Sequence, residues 1–210
     1  MSAPAAPPIS PAAPAPLLVA DGLRWSWPEA PLLAGVSMSV GPGLALVRGG
    51  DGRGKTTLLR LLAGRLEPQA GRVSAAGSVW LADAGDAADD DVVARDWLDR
   101  ARHTLGPWQA ATAARLVEAF DLGGHLDKEL FRLSTGSRRK LALVAAFAGG
   151  STVVLLDAPF AGLDRASREV LGDCLADAAG HRSRAWVLAD HERPPALDGL
   201  ALAAELDLGD

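Results

Sequence analysis

The chain alternates short apolar runs with segments in which apolar residues recur every three or four positions. Leu17 to Trp27 and Val36 to Val40 are strand-like in content, and Pro28 and Pro31 are expected to break the run between them. Gly43-Leu44-Ala45-Leu46-Val47-Arg48 is a short apolar run followed at once by glycines. From Lys55 to about Ala63, Leu58, Leu61 and Leu62 fall on one helical face; Gly64 suits the C-terminal stop and Pro68 bars an early restart. Arg72 to Leu81 predicts two short strands around Gly77, and Val92 to Phe131 is helical in pattern. Ser134 is placed to cap a helix running to about Phe147. Thr152 to Asp157 reads as a strand, Arg165 to Ala179 as a helix, Ala185 to Ala189 as a strand, and Ala201 to Leu208 as a weak closing strand.

Strands that alternate with helices predict an α/β fold: a largely parallel sheet with helices on both faces. The leading segments from Leu17 to Val40 come without helices and predict an antiparallel β patch beside that sheet. Composition shifts at Asp83, where Asp83, Asp86, Asp89, Asp90 and Asp91 make an acidic loop, read as a solvated linker in preference to a metal site. Behind it lies an inserted helical subdomain of about residues 84–147. Residues 1–16 form an Ala/Pro tract expected to be a disordered tail. It has neither the basic segment nor the apolar core of a signal peptide. No apolar run approaches the roughly 20 residues of a membrane span, so the chain is expected to be cytosolic and to meet a membrane only through another polypeptide. No internal repeat is visible.

A chain of 210 residues, 49% hydrophobic, buries roughly 70% of its unfolded surface on folding, enough for one domain with a subsidiary lobe. A net charge of −5 offers a nucleic-acid partner no electrostatic gain. Cys174 stands alone, which excludes an intramolecular disulfide and a multi-cysteine metal site; it reads as a small buried residue on a helix.

Chemistry enters at Gly49-Gly50-Asp51-Gly52-Arg53-Gly54-Lys55-Thr56, which fits the phosphate-loop pattern between a strand and a helix. Glycines let successive backbone N–H groups curl inward onto phosphate oxygens, and the next helix adds its positive end. Lys55 can reach terminal phosphates and the Thr56 hydroxyl can ligate Mg²⁺. The bland alternative, a glycine-rich turn with a chance lysine, does not explain the strand–loop–helix context. The core is therefore expected to be a P-loop NTPase, though this loop alone does not separate kinases, GTPases and transport ATPases; the RecA-like form is what the family resemblance of the downstream residues implies.

The downstream residues do. Leu133-Ser134-Thr135-Gly136-Ser137, then the strand ending at Asp157, then Ala161-Gly162-Leu163-Asp164, then His191, follow in an order that resembles the ATP-binding subunit of ABC transporters. The resemblance covers nearly the whole chain after Pro16, residues 17–210, including the closing Leu206-Asp207-Leu208-Gly209-Asp210. It implies ATP binding by Gly49, Gly50, Asp51, Gly52, Arg53, Gly54, Lys55, Thr56 and Thr57, with Trp27 stacked on adenine and Trp25 a near competitor. It implies a signature segment, Ser134, Thr135, Gly136 and Ser137, presented to the terminal phosphate of a second subunit in a head-to-tail dimer. Asp157 and Thr56 would hold Mg²⁺, Asp164 would lie in the loop coupling the two sites, and His191 would contact the terminal phosphate. The Arg138-Arg139-Lys140 run reads mostly as a solvated helix face.

Three departures matter. The glutamate that orients the attacking water is replaced by Ala158; the glutamine between sheet and lobe falls near Asp83; the signature carries Thr135 and Ser137 in place of Gly and Gln. A missing water-positioning group typically costs about 10²–10⁴ in rate, so ATP binding is the firmer expectation and hydrolysis the weaker. Asp83, also a further candidate for the metal, and Glu192 are the carboxylates available as substitutes, His191 alone could position the water, and a partner subunit with an intact glutamate is another route. The resemblance implies a homodimer or heterodimer docked through its helical lobe on a separate membrane-spanning subunit, peripheral on the inner face of the cell membrane. The short chain and the Leu-Ser-Thr-Gly sequence resemble compact exporter subunits, including the haem-exporter type. A nucleotide-gated regulatory or scaffold module with little hydrolysis is the alternative that Ala158 keeps open. A small-molecule kinase leaves the signature and His191 unexplained.

Overall fold

The computed structural model describes residues 15–209, apart from Glu29, Ala84 and Asp86. The expected tail from Met1 to Pro14, Asp86 of the acidic loop and the terminal Asp210 lie outside the described residues.

Two sheets organise the molecule. The first has strand order β2-β1-β4 and is antiparallel: β1 (Leu18–Trp27), β2 (Ala30–Val40) and β4 (Ala70–Ala75). The second is a parallel sheet in the order β5-β6-β7-β3-β8, built from β3 (Gly43–Arg48), β5 (Val79–Leu81), β6 (Val153–Asp157), β7 (Ala185–Asp190) and β8 (Ala204–Asp207). Five α-helices are described: α1 (Lys55–Leu62), α2 (Ala94–Thr104), α3 (Ala110–Ala119), α4 (Thr135–Ala148) and α5 (Arg165–Ala179). The α/β core, the antiparallel patch and the inserted helical lobe all match the pattern in the sequence.

One expectation fails at Pro31. It does not break the chain between two strands but lies inside β2, opposite Ser26. β2 is an edge strand, so the missing N–H of proline removes no ladder bond that the sheet needs. The two strands around Gly77 also part company: β4 joins the antiparallel sheet and β5 the parallel one. Gly77 sits between them with no room for a side chain, since a β-carbon there would lie 2.2 Å from the Thr152 hydroxyl.

The apolar strands of the parallel sheet divide their residues by parity, as the two-residue period of a strand requires. Leu44, Leu46, Val154, Leu156, Trp186 and Leu188 enter a core shared with α4, α5 and the lobe. Ala45, Val47, Val153, Leu155, Val187 and Ala189 enter another, shared with α1 and the antiparallel sheet. Each leucine buried this way contributes roughly 1.5–3 kcal/mol, and burial on both faces explains the near-continuous apolar runs. The consequence for chemistry is positional. β3, β6 and β7 run parallel, so the loops after Arg48, Asp157 and Asp190 emerge at one edge, where α/β sheets place their ligands.

Candidate functional site

The loop between β3 and α1 is shaped by its glycines. Gly52 and Gly54 have φ of 76° and 93°, in the left-handed region that favours glycine. Gly54 is also hemmed in: a β-carbon there would lie 3.0 Å from both Leu32 and Leu33, so β2 braces the loop from outside. Lys55 folds back over the loop, its Nζ donating to the carbonyls of Gly49 at 2.6 Å and Gly50 at 2.8 Å. The ammonium is thereby held above the curled backbone at the start of α1, where anions are favoured. The closing segment completes the cradle. Gly50 N donates to Gly209 O at 2.9 Å, and Leu208 N to Arg48 O at 2.8 Å.

Thr56, the second residue of α1, donates from its hydroxyl to Asp157 Oδ2 at 2.6 Å. That bond joins the phosphate loop to the end of β6. Hydroxyl and carboxylate oxygens are the hard donors that Mg²⁺ takes, so the pair fits the metal expected from the sequence. β7 lies between β6 and β3 and its end serves both neighbours: Ala158 N donates to Ala189 O at 2.8 Å, and Gly49 N to His191 O at 3.2 Å. The His191 N–H is held by Asp190 Oδ1 at 2.8 Å, and its ring is exposed at the site's edge. Ala158 has φ of 41°, a conformation that residues with a β-carbon avoid.

Ser134 caps α4 as expected, accepting from Ser137 N at 3.0 Å, with the two hydroxyls also 3.0 Å apart. Gly136 lies against the coupling loop of the same chain: a β-carbon there would be 2.6 Å from the Gly162 carbonyl oxygen. The basic run after it is not a solvated face. Arg138 donates to Leu130 O at 2.7 Å and pairs with Asp90 at 2.7 Å. Arg139 donates to the Ala161 carbonyl. Lys140 pairs with Asp164 at 2.7 Å and reaches Phe120 O at 3.3 Å. Arg139 and Lys140 staple α4 to the 161–164 loop, and Arg138 ties it to the acidic segment, so the solvated acidic linker fails for the same reason. Asp89 accepts from Trp97 Nε1 at 3.1 Å and from Arg100 at 2.8 Å, while Asp90 holds Arg138. Asp164 itself caps α5, and Lys140, followed by the N–H and hydroxyl of Ser167, holds its carboxyl well below the usual carboxylate range.

A cavity of about 440 Å³ lies between the phosphate-loop helix, β6 and the lobe. It brings together Thr56, Asp157, Asp83, Thr135 and Arg139. Asp83 accepts from Gly85 N at 2.8 Å and faces Arg65 at 3.7 Å. Glu192 lines a different groove, with Arg165, Arg168 and Pro194. Of the two substitute carboxylates, Asp83 shares the Asp157 cavity and Glu192 does not line it. No cluster of three or more potential metal-ligating side chains exists among the described residues. Trp25 and Trp27 also separate: Trp25 packs on the core, whereas Trp27 is 59% exposed, and the two rings meet edge-on at 4.6 Å. Arg60, not singled out in the sequence, and Arg139, read there as part of a solvated face, both line the cavity. Arg60 was findable, because it lies four residues after Thr56 and so on the same helical face; the role of Arg139 was not, because its direction depends on the 161–164 loop.

Known proteins with this arrangement are numerous. The family profile described as ABC transporter matches residues 33–161, more than half of the chain. The chain is 32% identical over 182 residues to the taurine import ATP-binding protein TauB of Pseudomonas syringae pv. tomato, covering 76% of this chain and 66% of that one. It is 36% identical over 179 residues to the cytochrome c biogenesis ATP-binding export protein CcmA of Sphingopyxis alaskensis, covering 83% and 90%. Against an iron(III) import ATP-binding protein of Rhodococcus jostii it is 32% identical over 208 residues but spans only 60% of that relative's length. Among solved structures, an ATP-binding subunit of an ABC transporter superposes with a TM-score of 0.71 at 21% identity, covering 83% of this chain and 79% of that one. An ATP-binding cassette in its ADP conformation gives 0.64 at 17% identity, covering 90% and 89%. At those identities the solved structures speak for the fold alone.

Proposed function

The chain belongs to the ABC transporter family, and from that premise we propose that it is an ATP-binding subunit that couples ATP binding to transport through a separate membrane-spanning subunit. The observation that carries this reading is the Thr56–Asp157 hydrogen bond, which joins the phosphate loop to the end of β6 beside Ala158. Lys55 and the backbone N–H groups of residues 49–54 bind the phosphates, Trp27 stacks on the base, and Thr56 and Asp157 would hold Mg²⁺, which would supply charge neutralisation to the phosphates. Ser134 and Gly136 face a second copy or a homologous subunit. His191, at the end of β7, senses the terminal phosphate.

Hydrolysis is slow in this reading, because the residue after Asp157 carries only a methyl group. Binding and closure do the work: ATP shifts the dimer toward its closed form by its differential affinity for the two states. The lobe docks on the membrane subunit, and the exposed Phe131, 52% accessible, lies on it. No helix among the described residues is long and apolar enough to cross a membrane, in keeping with a peripheral position on the cytoplasmic face. The extent of the match to the cytochrome c biogenesis export protein supports a compact exporter-type subunit.

The test pairs affinity with single-turnover phosphate release for the chain and for Ala158→Glu. ATP affinity is expected to stay the same and release to rise by roughly 10²-fold. Native release as fast as that of ordinary ATPases of this family would overturn slow turnover, and loss of ATP binding in neither Lys55→Ala nor Asp157→Asn would overturn the site. Recovery of a membrane protein with the tagged chain is the matching test of the partner.

A further inference from the structure

Beyond β8 the backbone turns back onto the phosphate loop, and one carboxylate governs the turn. Asp207, the last residue of β8, splits its oxygens between two partners. Oδ2 pairs with Arg48 Nη2 of β3 at 3.0 Å, and Oδ1 accepts from Gly209 N at 2.9 Å. Gly209 has φ of 83°, in the left-handed region that glycine enters without strain. Leu208 is fixed between them: its N–H donates to Arg48 O at 2.8 Å, and its side chain packs on the core shared with α1. The bend aims the Gly209 carbonyl at Gly50, whose N–H donates to it at 2.9 Å. The two segments leave little slack, since a β-carbon at Gly49 would lie 3.1 Å from both the Gly209 carbonyl oxygen and the Leu208 β-carbon.

Gly49 and Gly50 are thereby held by both their N–H and their carbonyl groups. The Gly49 N–H donates to His191 O at 3.2 Å and the Gly50 N–H to Gly209 O, while the two carbonyls accept from Lys55 Nζ at 2.6 and 2.8 Å. Where the Lys55 ammonium stands therefore depends on where these two carbonyls stand. Glycine loses more conformational freedom on ordering than any other residue, so a glycine pair that is already held has less to lose when a ligand arrives. The surrounding ion pairs do not account for this order. Arg48 also pairs with Glu205 at 3.2 Å, and Glu205 lies 3.8 Å from Arg193, but each of these side chains, like Asp207, is at least 35% exposed. Exposed pairs contribute little. The bond from Gly209 N to Asp207 Oδ1 is the one that bears on the loop.

We propose that Asp207 is a positioning residue for phosphate binding: through the Gly209 carbonyl it fixes Gly50, and through Gly50 it fixes the Lys55 ammonium. The inference rests on the reading of the loop as the ATP site, and it narrows the N–H groups that meet phosphate to those after Gly50. Asp207 acts through the backbone and not by contact with ligand, because its two oxygens are taken by Arg48 and Gly209.

The experiment measures ATP affinity, single-turnover phosphate release at saturating ATP, and Tm for the full chain and for Asp207→Ala, Asp207→Asn and Lys55→Ala. Asp207→Ala removes the acceptor for Gly209 N and should weaken ATP binding by roughly three- to tenfold, with the saturated rate unchanged. Asp207→Asn keeps an oxygen for that N–H and should stay within about twofold of the native affinity, although it gives up the charge on the exposed Arg48 pair. A merely structural role would lower Tm without this split between affinity and rate and without rescue by asparagine. Unchanged ATP affinity in Asp207→Ala overturns the proposal, as does an equal loss in Asp207→Asn. If Asp207→Ala does not fold, Gly209→Ala tests the same path: its β-carbon meets open space and strains only the bend. It should weaken ATP binding severalfold, and native affinity in that variant overturns the proposal. Lys55→Ala separates the two readings. If it leaves ATP affinity unchanged, the nucleotide reading and this inference fall together; if it abolishes binding while Asp207→Ala binds like the native chain, this inference alone falls.

Discussion

The Thr56 hydroxyl donates a 2.6 Å hydrogen bond to the Asp157 carboxylate across 101 positions of sequence. It holds the first turn of α1 against the end of β6, so the two oxygens that fit Mg²⁺ are already adjacent. Thr56→Ala should leave the fold intact and remove most of the Mg²⁺ dependence of ATP binding. The expected loss of affinity in the presence of Mg²⁺ is about tenfold, the size of one hydrogen bond to a charged group. Nucleotide titrations with Mg²⁺ and with a chelator measure it, and equal Mg²⁺ dependence in both proteins would contradict the assignment.

Ala158 combines a missing carboxylate with a left-handed backbone, φ 41°. A β-carbon in that region costs about 1–2 kcal/mol. Ala158→Gly should therefore stabilise the chain by about 1 kcal/mol, raising Tm by roughly 2–4 °C for a protein of this size, without changing turnover. Ala158→Glu keeps a β-carbon and so carries a similar backbone cost while restoring the carboxylate. Calorimetry on the glycine variant beside turnover of the glutamate variant separates strain from chemistry; a glycine variant no more stable than the native chain would refute the strain.

Gly136 has no space for a methyl group, with the Gly162 carbonyl 2.6 Å from where it would sit. Alanine gains about 1 kcal/mol of helix propensity, but the overlap costs about 1–3 kcal/mol. Gly136→Ala should lower Tm and push the signature turn away from the coupling loop, reducing ATP-driven dimer closure. Dimer formation followed by light scattering with ATP checks the second effect. Unaltered Tm and unaltered closure together would mean that the contact has no role.

The two tryptophans of β1 should behave oppositely. Trp27, exposed and near the hairpin end, is expected to govern ATP affinity, and Trp27→Ala should cost about 1–2 kcal/mol, up to roughly thirtyfold. Trp25 packs on the core, so Trp25→Ala should lower stability by about 2 kcal/mol and affect affinity less. A reversed pattern in the same two assays would move the stacking role to Trp25.

Much of this molecule is legible along the chain. The apolar runs of β3, β6 and β7 are near-continuous because both faces of a parallel sheet are buried, and the glycines after Arg48 stand where a backbone must curl. Those local requirements locate Lys55, Thr56 and Asp157, whereas His191 is placed only by the order of motifs in the family resemblance; the residue after Asp157 could be read as alanine from the sequence alone. Boundaries also held where a local signal existed, as with Ser134 capping α4. Pro31 was misread because an edge strand tolerates proline and edge position is a property of the sheet. The acidic loop and the Arg138-Arg139-Lys140 run were misread because charge density says nothing about partners. Asp90 meets Arg138 only once the lobe itself folds, and Asp164 meets Lys140 only after the lobe docks on the core. Local sequence determined which residues can bind a phosphate; which charges are satisfied was decided by contacts between segments that sequence order keeps far apart.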